Sequence, residues 1–200
     1  MVEFYEIQTQ TAWGKVLQDF AAWCRPQAGW KVLDVGCGPG LLPALFQRQG
    51  CKAVGADLEA AAYRVERVHP ELVCADALNL PFLEQSFDLV TASNLLFLLP
   101  DPLAVLGEMR RVARVQGQVI CLNPSERLSV TAASELVSQR GLQGLARQSL
   151  LNWAARAESG CRWSEAEMGQ LYAAAGLELC EMALKMGPGF ARFSRAVRER

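Results

Sequence analysis

Three acids and an amide, Asp34, Asp57, Asp76 and Asn94, stand in or at the ends of short apolar runs, and the first run leads into a glycine turn, Gly36-Cys37-Gly38-Pro39-Gly40. Glycines at this density permit backbone angles that side chains resist, and they let a ligand approach bare peptide groups. A helix-like stretch, Leu41 to Gln49, follows at once and points unpaired N–H groups at the same place. The spacing separates this turn from a dinucleotide fingerprint, whose third glycine would fall where Leu41 stands. Asp57 lies 21 positions after Gly36, about the distance at which a doubly wound fold brings an acid to a ribose. Its two carboxylate oxygens suit the two hydroxyls of a ribose diol, whereas a bland role would be to cap the next helix. Asp76 suits, most plainly, a turn. Asp34 falls inside a strand, where a buried carboxylate needs partners.

The elements that must position these groups alternate. Strand patterns at 31–35, 52–57, 72–75, 88–93 and 118–123 are interleaved with helical ones at 41–49 and near 60–68, and with one opened by Asp101 as N-cap and Pro102 at N1. That last helix ends in Arg110, Arg111 and Arg114, cations suited to its C-terminal dipole. Such alternation predicts a parallel sheet covered on both faces, with ligands bound outside the carboxyl ends of its strands. Ahead of it, residues 11–24 carry a helical stripe of Trp13, Val16, Leu17, Phe20, Ala21 and Cys24. After the fifth strand the rhythm changes. Residues 125–163 hold two helix-like stretches broken by Gly141 and Gly144, Ser164 and Glu167 form a capping box, and the chain closes on a hairpin turning at Gly187-Pro188-Gly189.

Taken together, VLDVGCGPG (Val32 to Gly40), GADLE (Gly55 to Glu59), CADALNLPF (Cys74 to Phe82), SFDLVTASNLLFLLPDP (Ser86 to Pro102) and EMRRVARVQGQVICLNP (Glu108 to Pro124) resemble the class I S-adenosylmethionine-dependent methyltransferases. The likeness is to the small soluble kind similar to quinone-biosynthesis C-methyltransferases, over roughly residues 30 to 125. Two positions depart from it. Phe97 stands where the family often has histidine, and Val115-Gln116-Gly117 replaces the usual Pro-Gly-Gly.

The resemblance implies a doubly wound, mostly parallel seven-stranded α/β sheet with a C-terminal antiparallel hairpin and a helical insertion. It implies S-adenosylmethionine as cofactor, S-adenosylhomocysteine as product, and a small-molecule methyl acceptor. The cofactor residues would be Asp34, Gly36, Cys37, Gly38, Gly40, Asp57, Leu58, Asp76, Ala77 and Asn94. Phe97, Arg127, Trp153 and Arg156 are candidates for the acceptor side, with Asn123, Trp163, Tyr5 and Trp13 also in reach of it. No catalytic residue is singled out. In-line displacement from a sulfonium needs alignment more than a catalytic dyad, and His69, the single histidine, suits a solvated loop.

Two hundred residues at 51% hydrophobic content suit one domain. Within it we expect an N-terminal helical lid at 1–30, a cofactor core at 31–124, a helical cap at 125–163 and a helix plus hairpin at 164–200. A formal net charge of −1 with no dense basic run argues against nucleic acid. Seven cysteines without a CxxC pair suit reduced thiols, and no His/Cys cluster has metal-ligand spacing, so no metal is expected. No run reaches membrane-spanning length and no signal-peptide layout opens the chain, which makes the cytoplasm the default location. Oligomeric state is left open. The five arginines from Arg127 to Arg162, against two acids, suit either an anionic acceptor or a solvated helical face. The competing readings are a cofactor-binding protein without turnover and, less well supported, a nicotinamide oxidoreductase. A DNA amino-methyltransferase is disfavoured, because Asn94-Leu95-Leu96-Phe97 replaces the Asn-Pro-Pro-Tyr type of motif.

Overall fold

A computed structural model describes residues 4–60 and 71–199. The helix expected near 60–68, His69 and the side chain of Tyr5 lie outside the described residues.

Seven strands form a single sheet in the order β3-β2-β1-β4-β5-β7-β6. They are β1 (Lys31–Val35), β2 (Lys52–Asp57), β3 (Glu71–Cys74), β4 (Phe87–Ser93), β5 (Ala113–Pro124), β6 (Leu177–Lys185) and β7 (Ala191–Arg198). The first five are parallel; β7 runs antiparallel between β5 and β6. Strand order reverses between β1 and β4, the switch point at which such sheets open a ligand crevice. The expected α/β architecture and its C-terminal hairpin are therefore present.

Both faces are covered, as buried parallel strands require. On one face α2 (Ala12–Cys24), α3 (Leu41–Arg48), α5 (Val130–Arg140) and α6 (Gly144–Ser159) enclose a cluster that includes Phe20, Phe46, Leu89, Leu122 and Phe193. On the other, α4 (Pro102–Val112) and α7 (Glu165–Ala174) cover Val90, Val119, Cys121 and Tyr172. The stripe read from residues 11–24 is the set that α2 buries, with Phe20 edge-on to Phe193 at 5.0 Å. Thr11 caps α2 by accepting from the Trp13 N–H, and a short helix α1 (Phe4–Gln10) precedes it. This places α2 in a core layer, and it is α1 and Trp13 that reach across to α6.

Asp101 caps α4 and accepts from Ala104 N–H at 2.9 Å, with Pro102 in the first turn. The helix ends earlier than its cations suggest. Arg114 already lies on β5 and pairs with Asp88 at 2.9 Å, so it serves the sheet instead of the helix dipole. Strand β5 likewise starts at Ala113, not Gln118, and its register against β4 shifts through an irregularity where Gln116 takes φ +61°. The capping box of Ser164 and Glu167 forms as read, and Gly176 closes that turn at φ +70°.

Candidate functional site

The glycine turn sits at the carboxyl end of β1. Gly36, Gly38 and Gly40 have φ values of +69°, +51° and +83°, the left-handed region in which a side chain is strained. Gly36 N–H and Cys37 N–H both donate to the carbonyl of Ala56 on β2, at 2.7 and 3.2 Å. Gly38 N–H donates to Asp57 Oδ2 at 2.9 Å, and Glu59 N–H to Asp57 Oδ1, also at 2.9 Å. One carboxylate thus ties the loop after β1 to the loop after β2. Two acceptor sites are used, and a carboxylate has about four, so Asp57 keeps capacity for a ligand's hydroxyls. Asp57 is a local cap, and it is half-exposed at the rim. A Cβ on Gly38 would meet nothing within 4 Å, whereas one on Gly36 would sit 2.8 Å from Leu95 Cδ1, so the turn is open at Gly38 and covered at Gly36.

Asp34 lies one layer below, 2% exposed, and accepts from Thr91 Oγ1 on β4 at 2.8 Å. Burial raises its pKa to about 7, against the lowering effect of the Thr91 hydroxyl, and the charge of Asp57 adds to the rise. A carboxyl balanced near neutrality beneath an open glycine turn is suited to a cation above it. Burial also pushes the Cys37 thiol well up, which makes it a packing residue and not a nucleophile. Its side chain fills the room that Gly55 leaves; a Cβ there would sit 2.5 Å from the Cys37 Sγ.

Along the rim, Leu58 is 69% exposed, an apolar side chain open to contact. Asp76 is exposed and accepts from Leu78 N–H at 2.9 Å, so its own turn uses one oxygen and the other stays free beside half-buried Ala77. Asn94 ends β4 at φ +56°, with its N–H on the Leu122 carbonyl at 2.8 Å. The structure therefore gathers Asp34, the glycine turn, Asp57, Leu58, Asp76, Ala77 and Asn94 along the carboxyl ends of β1 to β4.

That arrangement has known counterparts. Residues 33–121 match the family model described as a methyltransferase domain. Over those residues the chain is similar to methyltransferase domains. Among curated relatives, the ubiquinone biosynthesis O-methyltransferase of Pseudomonas fluorescens strain SBW25 is 33% identical over 123 residues, covering 55% of this chain and 53% of that protein. The demethylmenaquinone methyltransferase of Staphylococcus epidermidis strain RP62A is 35% identical over 114 residues, covering 50% and 45%. The chain thus spans about half the length of the curated relatives it matches. Among solved structures, the magnesium protoporphyrin IX methyltransferase of Synechocystis PCC 6803, with bound S-adenosylhomocysteine, has a TM-score of 0.67 at 17% identity, over 100% of this chain and 89% of that one. The putative methyltransferase complexed with the Trm112 activator of Haloferax volcanii has a TM-score of 0.68 at 19% identity, over 98% and 96%. At those identities the structural likeness establishes the fold.

The second set of candidate residues is more dispersed. Trp153, on α6, is 7% exposed, donates its indole N–H to Asn94 Oδ1 at 3.1 Å and meets Trp13 edge-on at 4.8 Å. Arg156, three residues on, is exposed to solvent. Trp153 is thus buried against the strand end at Asn94, whereas Arg156 is solvated. Phe97 is 4% exposed within the apolar cluster under α6, a packing position. Arg127 lies apart, with Arg140, Leu136 and Phe190 around a cleft of about 540 Å³ between α5 and the Gly187–Gly189 turn. Sequence reasoning did not find the Trp153–Asn94 bond, which spans 59 positions and carries no local signature. Among the described residues no group of three or more His, Cys, Asp or Glu side chains could hold a metal, and no helix is long and apolar enough to cross a membrane.

Proposed function

We propose that this chain binds S-adenosylmethionine on the rim of β1 to β4 and transfers its methyl group to a small-molecule acceptor. The observation that carries the reading is the glycine turn pinned to Asp57, with a buried Asp34 beneath it, inside the stretch similar to methyltransferase domains. The bound cofactor supplies a methyl group on a cationic sulfur, already reactive toward a nucleophile. What the chain's own residues do follows from their placement. Asp57 offers its remaining lone pairs to the ribose diol, and Leu58 and Ala77 offer apolar contact to the base, with Asp76 at its edge. Gly36, Gly38 and Asn94 present backbone groups to the amino-acid tail, and Asp34 places negative charge below it.

Rate enhancement then rests on alignment and exclusion of water, since well-oriented reactants gain up to about 7–11 kcal/mol from proximity. Helix α6 meets the rim through Trp153 and contributes to that exclusion. The quinone-biosynthesis relatives and the toxoflavin-precursor N-methyltransferase of Burkholderia thailandensis, a structural neighbour with a TM-score of 0.67, support a small cyclic acceptor. The test is calorimetry of the chain with S-adenosylmethionine, S-adenosylhomocysteine, NAD and NADP. Binding of the two sulfur nucleosides and neither dinucleotide is expected. Tight dinucleotide binding with no response to either sulfur nucleoside would overturn the reading.

A further inference from the structure

Asn123, at the carboxyl end of β5, is 1% exposed, and neither its Oδ1 nor its Nδ2 has a hydrogen-bond partner. Directly across the ladder stands Arg192 of β7, 3% exposed, whose Nε also has none. Opposed residues of an antiparallel pair project from the same face. Here that is the α7 face, because Cys121, two residues before Asn123, packs with Met168 and Tyr172, and Ser194, two after Arg192, bonds the Tyr172 hydroxyl at 2.9 Å. Three buried hydrogen-bonding groups with no partner thus lie side by side at the carboxyl ends of adjacent strands, one strand over from Asn94. Burying such groups unpaired is costly, and native interiors rarely tolerate it without a compensating partner.

The charges nearby define what that partner is. Arg192 Nη2 already donates to Glu126 at 2.7 Å, and Nη1 lies 3.9 Å from Glu165. Its cation is balanced, so an anionic group has no call on it. What remains is a donor and an acceptor on Asn123 and one donor on Arg192. Such a set complements a neutral edge with an N–H or O–H beside a carbonyl, as in a lactam or an enolised ketone. Trp163 flanks the place: it bridges Ser125 and packs against both core clusters, between the α5–α6 cap and α7.

We infer that Asn123 and Arg192 Nε determine acceptor specificity by reading a neutral donor–acceptor edge of the molecule to be methylated. The inference rests on the methyl-transfer reading for its placement, but its test is separate. Calorimetry with S-adenosylhomocysteine alone decides the donor side. With the chain saturated in that product, 2-pyridone, a neutral lactam, is titrated while the ¹⁵N side-chain amide signals are followed. The Asn123 pair, assigned by its loss in Asn123→Ala, is expected to shift saturably. N-methyl-2-pyridone, which lacks the donor, should leave it in place. Asn123→Ala should raise the 2-pyridone dissociation constant about tenfold or more without changing product affinity. Arg192→Lys, which keeps a cation for Glu126 but loses the Nε–H, should weaken 2-pyridone less.

An Asn123 signal that ignores 2-pyridone, or equal 2-pyridone affinity in parent and Asn123→Ala, would overturn the assignment and leave the amide as a holder of buried water. If the product does not bind, the donor reading fails by itself, and the same titration on the free chain still decides the pair.

Discussion

Along the β1–β2 side of the rim, the groups that face a ligand are held by near neighbours in sequence and by backbone. Gly36, Gly38 and Gly40 take left-handed φ values, the N–H groups of Gly36 and Gly38 reach Ala56 and Asp57 while that of Gly40 returns to Cys37, and the whole contact lies within 24 positions of chain. On the β4–β5–β7 side, the corresponding groups are side chains brought together from far apart. Asn94 meets Trp153, and Asn123 faces Arg192 across 69 positions. A backbone-built half has few ways to vary without losing its shape, because the strain in a φ of +50° to +80° is the same whatever ligand is bound. A side-chain-built half can be re-lined by single substitutions that leave the fold intact. A shared donor on the first half and a changeable acceptor on the second would use each kind of construction where it suits.

The sharpest way to break this contrast is through Asp34. Its carboxyl is raised from an ordinary 3.8 to about 7, chiefly by burial, so the folded chain favours its protonated form. Its contribution to stability is full below about pH 3.8 and is lost progressively as pH rises through about 7. A shift of this size is linked to a few kcal/mol. Compared with the ligand-free parent, Asn at this position (Asp34→Asn) should show a smaller fall in stability between pH 5 and pH 8, read by urea unfolding at each pH. A cationic ligand should reverse the preference, so S-adenosylmethionine affinity should rise with pH in the parent and not in the variant. Equal pH profiles for the two chains would remove Asp34 from the account.

Next in size is Asp57→Ala, which deletes the acceptor for Gly38 and Glu59 N–H together with the proposed ribose contact. Hydrogen bonds to a charged acceptor contribute about 1.5–3 kcal/mol. The S-adenosylhomocysteine dissociation constant should therefore rise roughly ten- to hundredfold. An unchanged affinity would mean that another group holds the ribose.

Smaller again is Trp153→Phe, which keeps the apolar contact with Trp13 and removes only the N–H to Asn94. One neutral hydrogen bond is worth about 0.5–1.5 kcal/mol net. The variant should lose about that much stability, and hydrogen exchange in α6 should quicken. If α6 protection is unaltered, the bond does not hold the cap to the rim.

How far each half could be read in advance follows from the same difference. The glycine turn, Asp57 and the strand ends were legible because their constraints are local: left-handed backbone selects glycine, and a strand end followed by a helix selects a capping acid. The six buried residues of α2, the Asp101 cap and the Ser164–Glu167 box were legible for the same reason. The start of β5 was not, since the irregularity at Gln116 depends on how β4 and β5 register. Arg114 was read as a helix-end cation but pairs with Asp88 on the neighbouring strand. Nor does spacing reveal which way Trp153 and Arg156 turn. Three positions apart puts two residues near one another on a helix, while the angle between them, about 60° short of a whole turn, lets one be buried and the other solvated.

Arg156 gives the smallest effect and the finest test of that division. It is exposed on α6 and stands outside the network that holds Trp153 to Asn94. Surface substitutions of this kind shift stability by about 0.5 kcal/mol or less. Arg156→Ala should therefore leave unfolding midpoint and S-adenosylhomocysteine affinity close to the parent's, in contrast to Trp153→Phe three residues away. Should Arg156→Ala instead weaken acceptor binding tenfold once an acceptor is in hand, α6 must rotate or tilt on binding to bring that cation inward. The acceptor side would then be built by ligand-driven closure, and the neutral edge read by Asn123 would cover only part of what the cap recognises.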